Sequence, residues 1–162
     1  MSVFLTKELV DKAIAEIFDE MSEFTLRYQK KGFHVVVLDP AVPYQPIHYQ
    51  STTIVPPNYI LSERSCNEDK WAGSDYKAVA RGKAQLCLRE KMNSGAVPRH
   101  MLRSGDVKWR GGVYYNGIVV AVSGFDSADD EAFSLKIAHR CEQLAEEEYY
   151  SWHDANPRQS FV

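Results

Sequence analysis

The chain has 162 residues, 44% of them hydrophobic, which is apolar material enough for one domain with a full core and too little length for two. Its formal net charge of −3 comes from mixed signs spread along the sequence, without the basic excess that neutralising a nucleic-acid backbone demands, so no nucleic acid is expected as partner. No apolar run approaches the ~20 residues that cross a bilayer, and residues 1–5 lack the charged flank and length of a secretion signal, so the expectation is a cytoplasmic protein that does not use a membrane.

In chain order, Val10, Ala13, Ile14, Ile17, Phe18, Met21, Phe24 and Tyr28 recur at spacings of three and four, which predicts an amphipathic helix over residues 6–31. Gly32 suits the left-handed position that ends it. Residues 33–38 form an apolar run, interrupted only by His34 and closed by Asp39-Pro40, the pattern of a strand central in a sheet. Prolines at 40, 43, 46, 56 and 57 exclude a long helix from residues 40–73, where 47–49, 52–55 and 59–61 are each able to make a short strand and one or two strands with long loops are expected. Ser74 is placed to cap a second helix through Tyr76, Val79, Ala80, Lys83, Ala84, Cys87 and Leu88 to Met92, ending at Asn93-Ser94-Gly95. Residues 107–110 are expected to extend the next strand backwards from Gly111-Gly112. Val113, Tyr114 and Tyr115 then run into Asn116-Gly117 and residues 118–122, a hairpin around the dipeptide that best tolerates two positive φ angles. Ser123-Gly124 ends that strand, and Ser127 with Asp130 has the spacing of a helix N-terminus. The last helix, over residues 128–152, is expected to bury Ala132, Leu135, Ala138, Leu144, Ala145 and Tyr149. One domain over residues 1–155 with a tail at 156–162 completes the reading.

Gly111-Gly112-Val113, Ala121-Val122-Ser123-Gly124 and Asp130-Glu131-Ala132, with Lys83-Ala84 upstream, together resemble the haem-degrading or GlcG-like family, and the chain looks closest to its uncharacterised cytosolic branch. The resemblance is good in the C-terminal block and poor over residues 40–73. It implies a profilin-like α/β/α sandwich with a central antiparallel sheet and helices packed on it, assembly as a homo-oligomer, and a small ligand, haem or another tetrapyrrole being the one the family suggests.

The residues offer little overt chemistry. Of five histidines, His48 in the proline-rich segment and His34 at the start of the central strand are the candidate haem ligands, with a satisfied buried histidine the plainer reading of His34. Cys66, Cys87 and Cys141 are odd in number and widely spaced, and read as free thiols. Ser123, Gly124 and Ser127 leave backbone amides near a helix start where an anion can bind, although Asp129, Asp130 and Glu131 oppose one. Gly111 and Gly112 allow close backbone approach to a ligand or, more simply, a bulge at the hairpin entry. Lys83 lies beside the apolar stripe of its helix, either facing a pocket or subunit contact or snorkelling to water. No GxSxG elbow is present and nothing places a histidine beside Ser123. The expectation is a non-catalytic ligand-binding homo-oligomer, with a cofactor-free protein-interaction adaptor as the alternative.

Overall fold

A computed structural model describes residues 2–21, 32–43 and 55–162. Helix α1 (Lys7–Glu20) starts where the Thr6 hydroxyl accepts the Leu9 amide at 3.4 Å, and it buries Val10, Ala13, Ile14 and Ile17. The remainder of the long helix expected there, and the short strand expected at 47–49, lie outside the described residues, as does most of the one expected at 52–55.

The sheet has four antiparallel strands, β1 (Phe33–Leu38), β2 (Ile60–Cys66), β3 (Gly112–Tyr115) and β4 (Ile118–Ser123), in the spatial order β2-β1-β4-β3. Strand β1 is buried along its whole length because both of its faces are covered. Val35 and Val37, with Val120 and Val122 of β4, face a core formed with α1 and the C-terminal helix. Val36 and Leu38, with Val119 and Ala121, face Ala80, Ala84 and Cys87 of helix α2 (Tyr76–Glu90). The result is an α/β/α sandwich: α1 and α3 (Ser127–Ala155) on one side, α2 on the other.

The hairpin falls where the sequence puts it, with Asn116 at φ 48° and Gly117 at φ 88°. Several boundaries differ. Asp75, not Ser74, caps α2, its carboxylate accepting the Ala78 amide at 2.9 Å, and the helix ends at Glu90 with Lys91 in the left-handed position. Residues 107–110 are not strand. Asp126 precedes α3 and Ser127 is its first helical residue, so Ser127 does not cap it. The phase of α3 also differs from the expected one: Asp130, Phe133, Ser134, Ile137, Ala138, Cys141 and Leu144 are buried, whereas Ala132, Leu135 and Tyr149 face outward. The aromatic ring of Phe133, stacked on Phe125 with centroids 5.6 Å apart, fixes that rotation more strongly than the alanines do. Cys66, Cys87 and Cys141 are free thiols.

Candidate functional site

Helix α2 approaches the sheet closely because its inward stripe is small, Ala80, Ala84 and Cys87. Lys83 shares that stripe, so its side chain is trapped between helix and sheet and is 1% exposed. The snorkelling reading is therefore overturned. Its ammonium donates to the Val122 carbonyl at 2.8 Å and to Asp130 Oδ2 at 2.8 Å. Asp130 stands on the first turn of α3, and its second oxygen accepts the Phe125 amide at 3.0 Å. A single carboxylate thus holds the chain entering α3 and answers the buried lysine.

Gly111 makes this packing possible. A Cβ there would lie 2.7 Å from Lys83 Nζ and 2.7 Å from Asp130 Cβ, and its φ of 131° excludes other residues from that conformation without strain. Its carbonyl accepts the Ser134 hydroxyl at 2.6 Å, joining α3 to the hairpin entry. Gly112 plays the same part against α2, where a Cβ would meet Cys87 Sγ at 2.7 Å. The β3–β4 register runs without interruption, so the bulge expected at Gly111-Gly112 is absent; the glycines give room to Lys83 and to α2 instead.

Burial disfavours both charges of the pair. It pulls the Lys83 ammonium below its ordinary value and pushes the Asp130 carboxyl up to about 6, each opposed by the attraction of the other. Removing two ions from water costs several kcal/mol per ion, about what their attraction returns, so a buried pair is a poor means of stabilising a fold. Its position has a different significance: both residues line a cavity of about 610 Å³. Lys83, Ser123, Gly124 and Ser127 line that cavity with Asp130, while Tyr76, Val79 and Trp109 add apolar and aromatic wall. Gly111 and Gly112, also candidate ligand contacts, do not line it; they pack against Lys83 and α2 instead.

Sequence reasoning missed Asp130 as the lysine's partner and gave Tyr76 and Trp109 no part in a site. An acid in the first turn of a helix has the plain reading of a dipole partner, and only the sheet geometry reveals its second role.

His34 lies elsewhere. It is 1% exposed, its Nε2 donates to Glu63 Oε2 at 3.0 Å, and its Nδ1 lies 2.8 Å from the Ser65 hydroxyl. Burial lowers its pKa against the opposing pull of Glu63, which leaves a neutral imidazole accepting from Ser65. Glu63 in turn accepts from Arg81 Nη2 at 2.6 Å and Nε at 3.0 Å. Both nitrogens of His34 are engaged, as in a satisfied buried histidine. His48 lies outside the described residues.

Of the side-chain types that ligate haem iron, Tyr76 alone lines the cavity among the described residues, and the cavity wall includes an ion pair. These residues do not fit a haem. No group of three or more His, Cys, Asp or Glu side chains suited to a metal ion occurs among the described residues. No described helix is long and apolar enough to cross a membrane. No family model matches the chain, and no curated protein matches it.

Proposed function

We propose that the protein is a non-catalytic small-ligand-binding protein of the GlcG-like type, acting as a homo-oligomer, and that its ligand occupies the cavity lined by Lys83 and Asp130. The observation that carries this reading is the juxtaposition of a buried ion pair with a cavity of about 610 Å³, a size within the range of small-molecule sites. A ligand polar group meets preoriented charges there, and Tyr76 and Trp109 supply the aromatic surface that such sites use for the rest of the molecule. Lys83 and Asp130 are each held by fixed hydrogen bonds, to one another and to the Val122 carbonyl and the Phe125 amide, which supports a pair that orients a bound molecule.

Thermal unfolding tests the reading. A compound that binds only the folded chain raises Tm by mass action. Val79→Trp fills the cavity from the α2 side. Screening wild type and Val79→Trp against a panel of small metabolites is expected to give compounds that raise Tm in wild type alone; equal responses in the two proteins would remove the cavity as the site. Haemin is tested separately by visible absorbance. A saturable Soret shift lost in His48→Ala would assign a tetrapyrrole to the 44–54 segment rather than to the Lys83 cavity.

A further inference from the structure

Beside the cavity, and sharing Trp109 and Ser127 with it, a second hollow of about 490 Å³ follows the connection over residues 97–110. The composition of the two compartments differs. The cavity balances Lys70 and Lys83 against Asp126 and Asp130. The second hollow is lined by Arg99, Lys108 and Arg110, by apolar Val97, Leu102 and Val107, and by no acidic side chain.

Arg110 is answered from just outside by Glu131, through hydrogen bonds of 3.1 and 3.2 Å. Arg99 and Lys108 have no such carboxylate in the hollow, and the Lys108 ammonium rests over the Trp109 ring, 4.6 Å from its centroid. The wall that carries them is braced: Arg89, 8% exposed, grips Asp106 through two hydrogen bonds of 2.7 and 2.8 Å, and Asp106 also accepts the Arg103 amide at 2.7 Å. Two exposed cations thus stand on a braced loop beside apolar side chains, next to a cavity whose own charges are compensated.

We propose that this hollow receives an anionic group, carboxylate or phosphate in character, carried by the ligand whose body occupies the cavity, with Arg99 and Lys108 as the recognising cations and Trp109 as the surface between the two compartments. The inference rests on the cavity reading above and adds the chemical class of the ligand. Because Arg99 and Lys108 are exposed, their contribution falls as ionic strength rises.

Two fluorescent probes separate this proposal from the reading beneath it: anilinonaphthalene sulfonate, an aromatic anion, and N-phenyl-1-naphthylamine, its uncharged counterpart. With the full chain at low salt, the anion is expected to bind saturably and more tightly than the neutral probe. Arg99→Gln with Lys108→Gln is expected to weaken the anion on the order of tenfold, the loss of charge-assisted contacts, and to leave the neutral probe unchanged. Both positions are exposed, so the double variant should keep the wild-type Tm, and each single variant provides a milder check. Equal affinity for the two probes, or anion binding indifferent to the double substitution and to salt, would overturn anion recognition while leaving the cavity in place. Failure of both probes to bind wild type would remove the cavity reading and this proposal with it.

Discussion

Lys83 illustrates how far a single residue can be read. Its place beside an apolar stripe was legible from the spacing of Ala80, Ala84 and Cys87; its burial was not, because a four-carbon stem reaches water from many such positions. What traps it is the approach of the sheet, permitted by Gly111 and Gly112 some thirty residues away in sequence. The Lys83–Asp130 pair should behave as a unit. Lys83→Met or Asp130→Leu alone leaves a buried charge unanswered and is expected to cost about 3–5 kcal/mol, whereas the double substitution should cost much less than their sum. Urea denaturation of the four proteins measures the coupling; additive losses would mean that the two side chains do not interact.

The titrating groups give a pH dependence with opposing signs. The folded imidazole of His34 resists protonation relative to the ordinary value of 6.5, so its contribution to stability is present above that pH and is lost as pH falls below it. At Glu63 and Asp106 burial alone would raise the carboxyl, but hydrogen bonds from Arg81 and His34, and from Arg89, hold each below its ordinary value of 4.5 or 3.8. Their stabilisation is present above those values and is lost as pH falls through the folded pKa. Asp130 runs the other way: its folded pKa of about 6 exceeds the ordinary 3.8, so the native state takes up the proton first and this group's contribution grows as pH falls from about 6 to 3.8. Asp130→Asn removes the opposing term, and urea midpoints should then fall more steeply with acid over that interval than they do in wild type. An unchanged slope would contradict the buried, raised carboxyl.

At the scale of elements, the features set by local chemistry were legible and those set by packing were not. The Asn116-Gly117 hairpin, the largely apolar β1 and the strand end at Ser123-Gly124 follow from turn chemistry and hydrophobic patterning, and each stands where expected. The rotation of α3 was misread because alanines mark a helix face weakly; Phe133 and Ile137, both fully buried, decide it. The caps of α2 and α3 each shifted by one residue because an aspartate beside the chosen serine precedes the helix instead. Residues 107–110 looked like a continuation of the hairpin, yet they line the second hollow. Gly124 offers the sharpest test of the strand-to-helix turn. At φ 139°, with a would-be Cβ 2.6 Å from that of Phe33, it should not accept a β-branched residue. Gly124→Val is expected to lower stability by at least ~1–3 kcal/mol, the cost of strained backbone alone. A wild-type Tm would count against the turn as described.

For the molecule as a whole, an α/β sandwich was recoverable from a helix leading into a doubly buried strand, whereas the α/β/α layering was an expectation from the family resemblance. The site was recoverable only in part. Lys83, Ser123, Gly124 and Ser127 were singled out and do converge on one cavity, but Asp130 as ion-pair partner, Tyr76 and Trp109 emerge only when the two sides of the sheet are assembled. The proposed homo-oligomer has its own check at this scale. Tyr150 is 61% exposed on the outer part of α3, where Phe4 and Trp152 add to the aromatic surface. Light scattering coupled to size exclusion should give a multiple of the 18.5 kDa chain mass, reduced by Tyr150→Glu if that surface joins the copies; a monomer at micromolar concentration would remove the oligomer from the account.

Native mass spectrometry of the purified chain, equilibrated with a small-molecule extract of its host and desalted, tests the central claim most directly. Bound ligand is predicted to appear as a discrete mass added to each 18.5 kDa chain, absent after denaturation and absent from Val79→Trp at unchanged Tm. A bare wild-type chain, or the same added mass on Val79→Trp, would contradict a ligand in the cavity at Lys83 and Asp130.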